Sequence, residues 1–311
     1  MLSEESLELI VQDHLAELEW QAGHGPDFAP GSGERDAWND IVLRGRLRNA
    51  VRNLNPDVPE EYLDQAIGEV ITPKSQSAIA ENRRIHQILV EGYRGIEYID
   101  HEGNIQNPTI YFLSSQPHKN DYLSLNQVTI ANLDGERRFD VVCYVNGMPL
   151  AFIELKKTGA NTSVEGAYNQ LQTYVKEFGM AFRFANIVIP SDDLSAKYGT
   201  PFTPWNHFAP WNVDEDGSPV DPNNMVVAGE PVTQLDLLLD GLFNVERFGQ
   251  LYSDFTAFDD TAEGLIMRIA KPHQYFAVTK AVGSTITAAR GDKRAGVIWH
   301  TTGAGKSMEM E

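Results

Sequence analysis

The chain has 311 residues and a formal net charge of −19, with 42% hydrophobic and 22% charged residues, a composition that predicts packed globular domains and excludes an intrinsically disordered chain. A single cysteine, Cys143, excludes an internal disulfide framework and a cysteine-based zinc site, and it favours the reducing cytoplasm. The N-terminus is acidic and no apolar run approaches about 18 residues, so we expect neither a secretory leader nor a membrane span.

Four helices are predicted in the first 91 residues. Over 3–20, apolar residues recur at three- and four-residue spacing behind two acidic residues. The other three helices cover about 36–53, 59–71 and 74–90, with prolines at both ends of the second of these segments. Residues 92–130 are then rich in Tyr, Ile, Val and Thr with turn residues between short runs, which predicts strands.

The clearest hairpin of the chain covers 137–156. Its two apolar runs flank Asn146-Gly147, a dipeptide that supplies the positive φ angles of a tight turn. A helix over 163–178 and a short buried strand over 185–189 follow. A Pro- and Trp-rich connection at 197–231, in which we expect Trp205 and Trp211 to act as anchors, leads to helices over 232–255 and 273–289 and a strand over 295–300. The acidic pair Asp259-Asp260 is predicted to be a solvated loop.

Charged side chains near the end of this hairpin indicate a catalytic site. Glu154 and Lys156 are two residues apart and therefore share a strand face. Asp140 on the first strand lies opposite Ile153 if the loop has two residues, and opposite Glu154 if it has three. Either register brings two carboxylates together in an apolar setting, where a hard divalent cation such as Mg²⁺ would offset their repulsion.

Lys156 would lie beside a water molecule on that cation, which could attack a phosphodiester. Gln170 and Tyr174 are four residues apart on the next predicted helix, so they share a face from which they could reach this water or a DNA backbone. The same residues are also compatible with an ordinary hairpin that ends in a solvated Glu–Lys pair.

This block resembles the nuclease block of the restriction subunits of type I restriction enzymes, which belong to the PD-(D/E)xK nucleases. The residues that carry the resemblance lie in four runs, at 138–142, 145–150, 153–156 and the Gln-x-x-x-Tyr of 170–174. The last run is also found in the nuclease domains of bacterial recombination helicases. Phe139 departs from the family pattern, which usually has proline there, at a position that shapes the strand entry and ligates nothing.

The resemblance implies an α/β fold with a mixed sheet flanked by helices, as in restriction endonucleases. It implies Asp140 and Glu154 as ligands of Mg²⁺ and Lys156 as the catalytic lysine. Gln170 and Tyr174 would support them.

A second site is predicted near the C-terminus, where the apolar strand over 295–300 runs into a Gly-Lys-Ser loop. Backbone N–H groups of such a loop wrap the phosphates of a nucleotide. The loop resembles the Walker A loop of superfamily 2 helicases, with His300 in place of the first glycine of the usual pattern. By this resemblance Gln274 would contact the adenine of ATP, and the phosphates would be bound by Thr302, Gly303, Ala304, Gly305, Lys306 and Ser307.

Three parts are therefore predicted: a nuclease domain over 1–195, a connector with a helix over 196–258, and the start of a RecA-like motor lobe over 259–311. Because only one ATPase motif and the adenine contact are seen, we expect ATP hydrolysis only in a longer, full-length protein.

The implied function is Mg²⁺-dependent cleavage of double-stranded DNA, coupled in the full-length protein to ATP-driven translocation. The charge of −19 argues against strong DNA binding by this chain alone, so methyltransferase and specificity subunits would hold the DNA. Two alternatives are a non-catalytic, nuclease-like docking module of a DNA motor and a stand-alone helicase-nuclease of DNA repair.

Overall fold

The computed structural model describes residues 3–133, 135–157, 163–192, 194–221, 225–227, 229–291 and 294–296. Its helices are α1 (Glu4–Glu17), α2 (Arg44–Leu54), α3 (Glu60–Ile71), α4 (Ala78–Glu91), α5 (Val164–Glu177), α6 (Gln234–Phe243), α7 (Val245–Ser253) and α8 (Pro272–Arg290). Its strands are β1 (Gln21–His24), β2 (Tyr98–Ile99), β3 (Ile105–Gln106), β4 (Tyr122–Asn132), β5 (Gly135–Val145), β6 (Met148–Leu155), β7 (Ile187–Ser191), β8 (Val226–Val227), β9 (Glu230–Pro231), β10 (Thr256–Thr261) and β11 (Gly264–Ile269).

A five-stranded mixed sheet of order β1-β4-β5-β6-β7 is the centre of the fold. The strands β4, β5 and β6 form an antiparallel meander, and β1 and β7 add to its two edges in parallel orientation. Outside this sheet, the described residues also form the two-stranded ribbons β2-β3, β8-β9 and β10-β11. The predicted α/β class with a mixed sheet flanked by helices is confirmed.

Both faces of the sheet are buried because helices cover each of them. Leu7 and Val11 of α1 belong to the apolar cluster on one face, together with Val141 of β5. Leu171 of α5 belongs to the cluster on the other face, together with Val142. The helices α1 and α5 therefore lie on opposite sides of the β5-β6 hairpin.

Two predicted segments of the N-terminal half differ from the structure. The helix expected from about residue 36 begins only at Arg44, because Arg35 holds the preceding turn by donating hydrogen bonds to the carbonyls of Trp38, Asp40 and Thr129. The strands expected over 92–130 are largely wrong before Tyr122, where only β2 and β3 form. The apolar residues of that segment insert into the core without strand pairing, as Phe112 does.

Two predictions in the C-terminal half are also wrong. The single helix expected over 232–255 is broken into α6 and α7 at Asn244, whose side chain accepts a hydrogen bond from the backbone N–H of Arg247 and so caps the second helix. Asp259 and Asp260 do not form a solvated loop but lie on β10. Asp259 pairs there with Arg268 of the neighbouring strand at 2.5 Å.

The predicted anchoring role of the tryptophans is confirmed most clearly for Trp211, which is 1% exposed. Its indole lies so close to Gly241 of α6 that a Cβ atom there would be 2.1 Å from Nε1. Trp205 is half-buried, with the ammonium of Lys197 4.3 Å from its ring centroid. In the described ranges, no helix combines the length and the apolar composition needed to cross a membrane.

One apolar cluster joins the sheet to the segments that follow it. It contains Leu7 of α1, Tyr198 and Trp211 of the connection, Leu238 of α6 and Tyr275 of α8. The residues after 195 thus share a core with the residues before it. The predicted domain limits at 195 and 258 stay predictions.

An ion pair also ties α1 to α6. The Nε2 atom of His14 lies 2.7 Å from a carboxylate oxygen of Asp240, and Nδ1 lies 3.6 Å from one of Asp236. Hydrogen bonds to Asp236 and Asp240 raise the pKa of His14 to about 9, although burial opposes them. The imidazole is therefore charged at neutral pH.

A pH-dependent stability follows from His14. Because its pKa is higher in the folded chain than in the unfolded one, its contribution is complete below about pH 6.5 and is lost as the pH rises through about 9. We expect the free energy of unfolding, measured with urea, to fall by about 2 kcal/mol across this window. His14→Gln should remove most of this fall and Asp236→Asn part of it, whereas parallel curves for wild type and His14→Gln would contradict the assignment.

Candidate active site

The turn of the β5-β6 hairpin has two residues. Asn146 and Gly147 both have positive φ angles, 51° and 76°, as the predicted tight turn requires. Glycine is needed at the second position for another reason as well, because a Cβ atom on Gly147 would lie 2.4 Å from the carbonyl oxygen of Leu43. The turn therefore fixes where the hairpin starts and packs it on the residues before α2.

A β-bulge then changes the register of the hairpin. Val145 pairs with Met148 and Tyr144 with Pro149, but Cys143 pairs with Ala151. Beyond the bulge Val141 pairs with Ile153, and the same register continued by one residue places Asp140 beside Glu154. The expectation that a two-residue turn would place Asp140 opposite Ile153 is therefore wrong, because the second strand contains one extra residue.

Three charged side chains converge at the end of this hairpin. The Glu154 carboxylate is fully buried, and its Oε1 accepts a hydrogen bond of 2.9 Å from Nζ of Lys156. The Asp140 carboxylate accepts a hydrogen bond of 2.8 Å through Oδ2 from the backbone N–H of Leu155. Nζ of Lys156 also donates to the carbonyl of Leu155 at 3.3 Å. The sequence prediction had grouped these three side chains, and the structure places them together.

Burial controls the charge of the two carboxyl groups. Burial, and after it the negative charge of Asp140, raises the pKa of Glu154 to about 8, although Lys156 opposes the shift. Burial also raises the pKa of Asp140, against the opposing effects of the Leu155 N–H and of Lys156. Without a further positive charge, the two groups do not both hold a full negative charge at low energetic cost.

For Lys156, the neighbouring charges outweigh burial in setting the pKa. Burial lowers its pKa, but the charge of Glu154 and the hydrogen bond to it outweigh that effect and raise the pKa above its usual value. The amine is therefore protonated at neutral pH. In this form it is a hydrogen-bond donor and a positive charge.

The carboxylates fit a hard divalent cation. Oε2 of Glu154 is buried and has no hydrogen-bond partner among the residues that the structure describes. Within the same residues, no group of three or more His, Cys, Asp or Glu side chains is arranged to hold a metal. A cation here would therefore have two protein carboxylates and would complete its shell with water and substrate oxygens, as Mg²⁺ commonly does.

The two supporting residues predicted on α5 contact each other. Nε2 of Gln170 donates a hydrogen bond of 2.5 Å to the hydroxyl of Tyr174. Tyr174 is mostly buried and packs edge-to-face on Phe139, with 5.4 Å between ring centroids. Burial raises the pKa of Tyr174, and the charge of Glu154 adds to this effect. The Phe139 departure from the family pattern thus supplies a ring that packs beside the site.

Residues that the sequence prediction missed lie on the other side of Asp140. Glu8 of α1 is 2% exposed, and the negative charge of Asp140 contributes to raising the pKa of Glu8, after the larger effect of burial. Gln127 of β4 is the residue opposite Asp140 in the sheet. The sequence does contain a signal for Glu8, an acidic residue between Leu7 and Val11 on the buried face of a helix.

The predicted nucleotide site is described only in part. The side-chain oxygen of Gln274 accepts a hydrogen bond of 2.8 Å from the backbone N–H of Lys271 at the start of α8. The predicted phosphate-binding residues, 302–307, lie outside the described residues. The role of Gln274 toward adenine stays a prediction.

Comparison with known proteins agrees with the geometry. Residues 1–207 match the family described as the N terminus of type I restriction enzyme R proteins, and residues 273–311 match the SWI2/SNF2 ATPase family. The HindI type I restriction enzyme endonuclease subunit of Haemophilus influenzae is 32% identical over 319 aligned residues, which cover 100% of this chain and 29% of the relative. The putative MjaIXP type I restriction enzyme endonuclease subunit of Methanocaldococcus jannaschii is 28% identical. The alignment covers 95% of this chain and 29% of the relative. A type I endonuclease subunit of Staphylococcus aureus is 25% identical over 61% of this chain and 18% of the relative.

The fold, the site and these matches define the class: the chain belongs to the family of type I restriction enzyme R proteins and contains the N-terminal region of that family. The family resemblance found in the sequence is confirmed. The chain spans 29% of the length of the first two relatives.

Proposed function

We propose that this chain is the DNA-cleaving part of a type I restriction endonuclease subunit and hydrolyses phosphodiester bonds of double-stranded DNA with Mg²⁺ held by Asp140 and Glu154. The observation that carries the proposal is the convergence of the fully buried Glu154 carboxylate, which has an unpartnered oxygen, the half-buried Asp140 carboxylate and the Lys156 ammonium. Buried like charges are costly, and a cation would relieve this cost where the sheet ends.

Each residue has a distinct part in the reaction. A bound divalent cation supplies a water of lowered pKa and neutralises charge on the phosphate oxygens. Asp140 and Glu154 hold that charge in place, and the Leu155 N–H fixes the orientation of Asp140. Lys156 carries its proton 2.9 Å from Glu154 and can donate a hydrogen bond to an oxygen of the phosphate as negative charge develops there. Gln170 and Tyr174 would orient water or the DNA backbone from α5.

The rest of the proposal concerns the full-length protein. The match of residues 273–311 to an ATPase family supports ATP binding by the predicted loop, with Gln274 at the adenine, and ATP-driven translocation. The relatives are named endonuclease subunits, which supports a multi-subunit restriction complex. The methyltransferase and specificity subunits are the partners that the family resemblance implies. A chain with a net charge of −19 fits this division, since its partners would supply most of the contacts to DNA phosphates in the cytoplasm.

Cation binding tests the nuclease proposal against the docking-module alternative. Titration of Mn²⁺ into the intact subunit by calorimetry, without ATP, should show one site that is lost in Asp140→Ala. If wild type and Asp140→Ala bind Mn²⁺ equally, the nuclease proposal is wrong and the docking module is favoured.

Dependence on partners tests the second alternative. With Mg²⁺ and ATP, the intact subunit should cut DNA only when the methyltransferase and specificity subunits are added. Efficient cutting by the subunit alone, measured as linearisation of a circular DNA, would favour the stand-alone helicase-nuclease.

A further inference from the structure

A kink in β4 lies directly across the sheet from Asp140. Asn126 pairs with Val141 and Val128 pairs with Phe139, so Gln127 is the residue opposite Asp140. Gln127 has a φ of 54°, in the left-handed region that residues other than glycine rarely adopt. Such conformations persist only where surrounding contacts hold them, and they concentrate at functional sites.

The kink rotates both strands at this point. Leu125 and Val128 are three residues apart, yet both lie in the apolar cluster beneath α5. Phe139 and Val142 of β5 are related in the same way. In a regular strand, side chains at even spacing share a face. The odd spacing of these pairs means that each strand exchanges its inward and outward faces once. In β5 this exchange takes place at Asp140.

Gly25 permits the kink by its lack of a side chain. A Cβ atom at this position would lie 2.5 Å from the carbonyl oxygen of Gln127 and 2.6 Å from that of Asn126. These are backbone atoms, which cannot move aside as a flexible side chain could. The segment after β1 therefore packs directly on the kinked part of β4.

Glu8 contacts the kink from the sheet face that α1 covers. Its carboxylate accepts a hydrogen bond of 3.3 Å from Nδ2 of Asn126, and the side-chain amide of Gln127 also lies beside it. Nδ1 of His24 lies 2.9 Å from Oδ1 of Asn126, which fixes the amide with its nitrogen toward Glu8. Burial raises the pKa of Glu8, and the two amides oppose that shift by stabilising the charged form. A buried carboxylate on α1 thus holds the two residues at the kink.

We propose that Glu8, Gln127 and Gly25 are positioning residues for Asp140: Glu8 holds the β4 kink through Gln127, and the kink directs the Asp140 carboxylate toward that of Glu154. This role rests on the proposed nuclease function, because it concerns the same cation site. None of the three residues needs to touch the cation or the DNA. They act by fixing the conformation of the β4 backbone opposite Asp140, and this conformation orients the Asp140 side chain.

Two substitutions separate positioning from folding. Gln127→Gly accepts the positive φ without strain but loses the amide beside Glu8. Glu8→Gln keeps the size of the side chain but loses the charge that the amides bind. Asp13→Asn, on the exposed side of the same helix, is the matched control because it also removes one negative charge from α1.

We expect both variants of the intact subunit to need about tenfold more Mn²⁺ for half-saturation in calorimetry, with melting temperatures in EDTA no lower than that of wild type. In the assembled complex, the Mg²⁺ concentration for half-maximal cleavage should rise similarly, while the rate at saturating Mg²⁺ changes little. Asp13→Asn should match wild type, and the Gln127→Gly/Glu8→Gln double variant should be no worse than either single variant, because both act on one kink.

Unchanged Mn²⁺ affinity in both variants, with Asp140→Ala still abolishing binding, would overturn the positioning role alone. A wild-type subunit that binds no Mn²⁺ beyond the Asp140→Ala baseline would overturn the nuclease proposal and this role with it. Equal losses of melting temperature and of saturated rate, without a shift in cation requirement, would show only structural damage and would also count against positioning.

Discussion

Replacing Lys156 with alanine is expected to slow DNA cleavage by about a hundred- to a thousandfold while ATP-driven translocation by the intact subunit continues. The reason is local: its ammonium is protonated, hydrogen-bonded to Glu154 and only 18% exposed, so no other group can readily take its place beside the phosphate. The proposed translocation would depend on the region that matches the ATPase family, residues 273–311, and Lys156 lies outside that region.

Lys157→Ala is the matched control, since it removes a neighbouring lysine whose side chain is exposed. Cleavage is measured as linear product per unit time in the assembled complex, and translocation as displacement of a triplex-forming strand from the same DNA. Loss of both activities in Lys156→Ala would contradict the assignment, because it would mean that this lysine supports the whole subunit and not the cutting step.

Asp140→Asn is expected to stabilise the cation-free protein and to abolish its response to divalent cations. The substitution keeps an oxygen for the Leu155 N–H but removes the half-buried negative charge that lies beside Glu154. We expect a gain of about 1 kcal/mol, or about 2–4 °C in melting temperature, with no cation present. Stability and activity would thus change in opposite directions at one side chain.

The pH dependence of this gain follows from Glu154. Its pKa in the folded chain, about 8, is above its unfolded value, so the contribution of Glu154 to the stability of the cation-free wild type is largest at low pH and is lost as the pH rises through about 8. The advantage of Asp140→Asn should therefore be larger at pH 9 than at pH 6. Melting in EDTA and in Mn²⁺ at both pH values would check this; a variant that still melts higher in Mn²⁺, as wild type should, would refute the role of Asp140 as a ligand.

The central part of the site could be predicted from the sequence because its signals are local. Asn146-Gly147 specifies the turn, and the spacing of Glu154 and Lys156 places both on one strand face. The bulge that brings Asp140 beside Glu154 has no comparable signal. Leu150, the unpaired residue of the bulge, is an ordinary apolar residue that is buried in the core. The sequence therefore left two registers open, and neither combined the two-residue turn with the pairing of Asp140 and Glu154.

The remainder depended on tertiary contacts. The positive φ of Gln127 leaves only one trace in the sequence, the shift in apolar alternation between Leu125 and Val128. Glu8 gains its environment from residues more than a hundred positions away. The apolar periodicity continues across Asn244, so it gave no sign that the helix breaks there. The strand β10 was not predicted because it contains two acidic residues. Their charges are balanced by Arg83, which is distant in sequence, and by Arg268 on the next strand.

The shared core around Trp20 limits how related enzymes could exchange parts. The indole of Trp20 donates a hydrogen bond of 2.8 Å to the carbonyl of Phe243, and its ring meets those of Phe243 and Phe248. In a recombinant chain that joins two related enzymes near residue 207, where the family match ends, Trp20 would come from one enzyme and α6 and α7 from the other. The contacts of Trp20 with Phe243 and Phe248 would then not be matched. A crossover placed after α8 would keep α6, α7 and Tyr275 of the same core together with the sheet.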